Sequence, residues 1–229
     1  MLSLALIDPQ TFDIVKVALI VGFVILSLSI HEWAHAWTAH KFGDDTAKSM
    51  GRMTPNPIVH IDPIMTIAVP ALLFLTTGFV FGGAKPVPVD PRNFKHPHAA
   101  NAVVAAAGPI SNAVLAFLFV LAWHVAVTVG GYETNQLLPE VLSLSALLNV
   151  LLAVFNLIPI PPLDGSRIVM WLLPKSARPG YAMLESFGIL IVIALLFMTP
   201  LRSVLADTVY GAIGWIDSVV GLVLDALGL

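Results

Sequence analysis

The feature that most constrains this chain is the succession of long apolar runs, because a run of about 20 apolar residues can cross a hydrocarbon layer of roughly 30 Å only as a helix. Such runs cover about Ile14 to His40, Ala99 to Val129, Val141 to Leu173 and Ala182 to Met198. Of the 229 residues, 58% are hydrophobic and only 11% charged, against about 25% charged in soluble domains, so the chain is expected to be an all-α polytopic membrane protein. It is read as a single integral-membrane domain of five to six transmembrane helices over residues 1–229, with helices at about 182–229 closing it. The tail Arg202 to Leu229 is apolar yet contains Asp207, Asp217 and Asp225, which leaves a sixth helix and an interfacial one both open. MLSLALIDPQTF lacks a basic start and a small-residue cleavage site, so it is expected to belong to the mature chain, with the first span as its own insertion signal.

Charge bias orients the spans. The loops after the first run, before the second and after the third carry Lys and Arg, whereas GGYETNQLLPE carries only Glu133 and Glu140, so the basic loops are placed in the cytoplasm. Two consecutive basic loops must lie on one side, and the segment between them has to enter and leave by the same face. Residues 64–89 are therefore expected to form a re-entrant hairpin, or a short helix with an extended return. Backbone of that kind is tolerated at membrane depth only where protein or a water-filled cavity satisfies it. The net charge of -3, with no basic tract, gives no sign of a nucleic-acid partner, and the absence of cysteine excludes thiolate metal sites and cysteine nucleophiles.

Within the first span stands SIHEWAHAWTAH, residues Ser29 to His40. His31, Glu32 and His35 make an HExxH pattern. Positions i and i+4 are about 40° apart on a helix, so both imidazoles can reach one zinc ion, while Glu32, about 100° round, can reach a water on it. His40 lies about 180° from His31, on the far face, and is expected at the cytoplasmic interface. Each ionisable group inside an apolar segment costs several kcal/mol and is retained mainly for function, which favours a site over packed polar residues. A catalytic zinc takes three protein ligands and keeps one position for water. Asp164 is the acid embedded in the third run, where Pro159, Pro161 and Pro162 must break the helix, and its depth matches that of the histidines. It is favoured as third ligand over Asp62 and Asp90, both beside loops.

HEWAH in the first span, AGPISN at Ala107 to Asn112, and NLIPIPPLDG at Asn156 to Gly165 together resemble the site-2 protease family of intramembrane zinc metalloproteases, over roughly residues 20–175. No inserted PDZ-like or CBS-like segment is visible, so the chain is similar to the small, core-only members. Trp33 stands where the family's motif often has a small residue. The resemblance implies one zinc per chain held by His31, His35 and Asp164, with Glu32 as general base. It implies a transmembrane protein as substrate, cleaved within or near its membrane segment; the enzyme is expected in the plasma membrane, and the charge bias of the loops places its site toward the cytoplasm. Asn112 and Asn156, amides inside the family-like motifs, are the candidates for stabilising the oxyanion or positioning substrate. Gly108 is read as permitting close helix packing. Gly82 to Val89 has the Pro and Val pattern of an extended segment that could add a substrate strand. His60, His96 and His98 are expected in solvent, and His124 near the outer end, too far from the zinc plane. A metal transporter and a noncatalytic metal-binding scaffold are the competing classes, since intramembrane His and Asp also mark ion paths.

Overall fold

The computed structural model describes residues 13–70, 72 and 82–228. Among these the architecture is all-helical, with no β-strand. Helix α1 (Ile14–Lys41) starts at Asp13, whose carboxylate accepts the N–H groups of Val15 and Lys16. It ends at Phe42, and Gly43 takes the left-handed turn (φ 101°) that follows. After the short α2 (Thr46–Ser49) come α3 (Pro97–Thr128), α4 (Leu137–Asn156), α5 (Asp164–Leu172), α6 (Arg178–Ala182), α7 (Gly188–Met198) and α8 (Leu201–Leu227). Five stretches are long and apolar enough to cross a membrane: Ile14–Lys41, Pro97–Thr128, Leu137–Asn156, Arg178–Met198 and Leu201–Leu227. The tail is thus a full-length helix.

The third apolar run is not one interrupted span. Three prolines between residues 157 and 163 remove backbone donors and clash with the preceding turn, so α4 stops at Asn156 and the chain restarts as the separate helix α5 at Asp164. A Cβ on Gly165 would strike the Leu157 carbonyl, so glycine there lets the first turn of α5 fold against the end of α4.

Small and branched side chains bring α3, α4 and α8 together. Ala116, Val120, Ala146, Val150, Val209, Ile216, Val220 and Leu224 form one buried cluster. In a membrane, lipid is as apolar as leucine, so close packing of such side chains carries the association. At one end of the bundle Lys16 of α1 pairs with Glu140 of α4 at 2.5 Å.

The expected re-entrant segment is described in part, residues 71 and 73–81 lying outside the described residues. Its entry is a π-helical turn, Pro63–Ala68, capped by Asp62, which accepts from Ile64 and Met65 N–H. Its return, residues 82–90, is irregular and runs back beside the entry: Gly83 N–H donates to the Met65 carbonyl at 3.1 Å, and Thr66 Oγ1 donates to the Gly83 carbonyl at 2.7 Å. Asp44, buried in the turn after α1, anchors the far end of this return. It accepts from the Asp90 N–H at 2.7 Å, from Asn93 Nδ2 at 2.8 Å and from Thr46.

Candidate metal centre

His31 and His35 lie one turn apart on α1, both less than a tenth exposed. Their Nε2 atoms are 3.0 Å apart, and Asp164 Oδ2, from the first turn of α5, lies 3.2 Å from one and 3.3 Å from the other. Helix α1 therefore brings in the two imidazoles by its own periodicity, and the proline break delivers the carboxylate. His31, His35 and Asp164 are the group of three such side chains, among the described residues, whose ligand atoms converge within 4.8 Å.

The tautomers follow from what lies behind each ring. His35 Nδ1–H donates to the Val104 carbonyl at 2.7 Å, and His31 Nδ1–H donates to Asn112 Oδ1 at 2.6 Å. With both protons on Nδ1, both Nε2 atoms present lone pairs to each other and to a carboxylate oxygen that is buried without a hydrogen-bond donor. Three acceptors facing one another with no proton between them repel, and a cation relieves the repulsion. Space for one is kept by Gly108 of α3: a Cβ there would overlap Nε2 of both histidines. Two imidazole nitrogens and one carboxylate oxygen are a donor set suited to zinc with a fourth position free. Gly108 thus has a sharper task than the helix packing expected of it.

Glu32 is half-buried, and its Oε2 accepts the Val87 N–H at 2.7 Å. The return limb is the tether of this carboxylate. Gly83, Lys85 and Val87 donate into the protein, to Met65, His60 and Glu32, while Pro86 and Pro88 have no N–H. Arg52 covers the carbonyls of Lys85 and Pro86 at 2.8 Å each. An added substrate strand would meet an edge poor in donors, contrary to the expectation for Gly82 to Val89.

The other expectations fare differently from one another. Asn112 is fully buried, its Oδ1 accepting from His31 and its Nδ2 donating to Asn149 Oδ1 at 3.0 Å, so its amide lies behind a histidine ring and not in the space between the ligands. Asn156 donates at 3.0 Å to the Leu152 carbonyl one turn back in α4, a bond within its own helix. His60 is buried, not solvated, because the 3-10 turn Pro57–His60 folds it inward, where Nε2–H donates to the Thr54 carbonyl at 2.8 Å. His96 and His98 are exposed. His124 bonds Asp217 of α8 at 2.8 Å, and His40 bonds Asp45 at 2.5 Å, so neither joins the three ligands. Asp62 and Asp90, the rival acids, serve as caps of short turns. Trp33 packs along α1 beside Trp37, their rings 6.3 Å apart. Asn149, with Ser27 and Ser145 around it, went unnoticed in the sequence; a lone amide in the middle of an apolar helix was the available signal.

Comparison with known proteins bears on the family of the chain. A protein of Bacillus subtilis that carries the provisional name zinc metalloprotease YwhC is 45% identical over 186 residues, 79% of this chain and 80% of the relative. The pattern of Peptidase family M50 matches residues 124–199. The chain belongs to peptidase family M50, the site-2 protease family. The matched stretch contains Asn156 and Asp164, while His31, Glu32 and His35 precede it. Among further relatives, a protein of Mycolicibacterium smegmatis provisionally named zinc metalloprotease Rip2 is 29% identical over 206 residues, 89% of this chain and 76% of its own. A Mycobacterium tuberculosis protein of the same name is 27% identical over 216 residues, 94% of this chain and 79% of its own. No solved structure gives a significant match. This M50 chain is an integral membrane protein with the apolar helices described above.

Proposed function

We propose that this M50 chain is an intramembrane zinc endopeptidase that hydrolyses peptide bonds within or near the transmembrane segments of other proteins. The observation that carries the reading is the convergence of three lone-pair-bearing atoms from His31, His35 and Asp164, next to Glu32 on the same helix. The relatives' names add zinc and proteolysis to it. Zinc held there would supply the Lewis acid that acidifies water and polarises the scissile carbonyl. Glu32 takes the proton of the attacking water as the oxygen–carbon bond forms, and returns it to the amine nitrogen as the carbon–nitrogen bond breaks. Gly108 keeps the space open, and the burial of His31 and His35 limits the access of bulk water to them. The Lys and Arg bias of the loops supports a cytoplasmic position for the site. Residues 1–229 then act as one domain, with a catalytic core at about 20–175 and C-terminal helices at about 182–229 packed against it.

Co-expression with a panel of single-span membrane proteins tests the reading. The native chain should shorten at least one of them, and Glu32→Gln should bind zinc equally and cleave none. Cleavage at the native rate by Glu32→Gln, or a purified chain without near-stoichiometric zinc, overturns it.

A further inference from the structure

Behind His31, on the Nδ1 side of its ring, four fully buried polar side chains link three helices. Asn149 of α4 donates through Nδ2 to the Ser145 carbonyl at 2.9 Å and to Ser27 Oγ of α1 at 2.9 Å. Its Oδ1 accepts from Asn112 Nδ2 of α3 at 3.0 Å, and Asn112 Oδ1 accepts from His31 Nδ1–H at 2.6 Å. Ser27, Asn112, Ser145 and Asn149 are each no more than 1% exposed.

The direction of this chain is forced from one end. A backbone carbonyl can only accept, so the Ser145 carbonyl fixes which end of the Asn149 amide is nitrogen. That places Asn149 Oδ1 toward Asn112, so Asn112 must present its NH2 there and its oxygen to His31. The oxygen in turn requires the proton on His31 Nδ1 and leaves Nε2 as a lone pair. Were the Asn149 amide absent, Asn112 could rotate by half a turn and offer NH2 to His31. The proton would then sit on Nε2, toward Asp164 and His35, where a metal ligand needs a lone pair.

We propose that Asn149 is a positioning residue of the metal centre, acting through Asn112 to hold His31 in its Nδ1–H tautomer. The inference rests on His31 being a zinc ligand. Outer-shell partners of ligating histidines fix ring tautomer and orientation, and their loss typically costs about 10- to 100-fold in metal affinity. A merely structural amide between helices would contribute to bundle stability and leave affinity alone.

The test measures zinc affinity of the purified full-length protein by competition with a chromophoric chelator. Asn149→Leu, similar in volume but without polar atoms, should bind zinc about 10- to 100-fold more weakly. Asn149→Asp keeps an oxygen for Asn112 Nδ2 and should recover most of that loss. Native affinity in Asn149→Leu overturns the proposal, as does an equal loss in both variants. Should Asn149→Leu not fold, nitrogen-15 spectra of histidine-labelled, zinc-depleted native protein decide instead: His31 protonated on Nδ1 supports the relay, and on Nε2 refutes it. Native protein that binds no zinc would fail the endopeptidase reading itself, whereas native binding with an unaffected Asn149→Leu would fail only this one.

Discussion

Val87 N–H is bonded to Glu32 Oε2 at 2.7 Å, which ties the return limb, residues 82–90, to the acid beside the proposed metal ligands. Pro86 and Pro88 on either side fix φ near about −65°, so the donor between them is aimed with little freedom. The consequence is a carboxylate held in one place before any substrate arrives. Val87→Pro deletes the donor and suits the backbone of its neighbours. A hydrogen bond to a charged group contributes roughly 1.5–3 kcal/mol, so the cleavage rate should fall about 10- to 100-fold while zinc content stays native. Quantified substrate loss on immunoblots checks it; an unchanged rate would show that the tether does not position Glu32.

Gly108→Ala makes a second prediction whose sign runs against helix propensity. In the interior of a helix, alanine is favoured over glycine by about 1 kcal/mol. At this position the added Cβ occupies the space in front of both Nε2 atoms. The variant should therefore fold and lose nearly all bound zinc, read by elemental analysis of the purified protein. Full zinc content would mean that the ion sits elsewhere.

The parts of the candidate site set by local periodicity were legible in the sequence. His31 and His35 meet because residues four apart share a helix face, and Asp164 stood out because the prolines before it had to open a helix. Charge parity alone led to the expectation of a re-entrant course, and among the described residues an entry and a return lie side by side at Met65 and Gly83, with residues 71 and 73–81 outside them. Asn112 was noticed but assigned to the wrong side of the site, since a motif gives no direction to a side chain. Asn149 was missed because its role is defined by partners on two other helices, 122 residues from Ser27 and 37 from Asn112. His60 was misplaced for a similar reason: a polar residue in a loop looks solvated until the loop's own carbonyls are known to fold over it.

Asp44 gives a pH prediction. Burial pushes its carboxyl up, but hydrogen bonds from Thr46 Oγ1, Asp90 N–H, Asn93 and Thr46 N–H outweigh burial and hold it below the ordinary carboxylate range. A depressed folded value means that the stabilisation is complete above the unfolded value of about 3.9 and is lost as pH falls through the folded one. Acid should thus loosen the anchor of the return limb. The melting temperature of the detergent-solubilised protein should decline below about pH 4, and Asp44→Asn, already neutral, should show a lower neutral-pH value and a shallower acid decline. Parallel acid limbs in the two proteins would place the loss at another carboxylate.

Metal removal tests the electrostatic logic of the centre most directly. Once the ion leaves, two Nε2 lone pairs 3.0 Å apart and a carboxylate oxygen 3.2–3.3 Å away face one another in a buried space. With both Nδ1–H groups engaged behind the rings, only a proton taken up from solvent on an Nε2 atom could then replace the cation between them. An ion bound at 1,000 times its dissociation constant stabilises the fold by about 4 kcal/mol, so chelation should lower the melting temperature by several degrees and zinc should restore it. His35→Ala should abolish that difference, since the remaining two donors no longer close on an ion. A chelated protein that is shown to be zinc-free yet melts where the loaded one does would mean that the three groups are held together by something other than the cation.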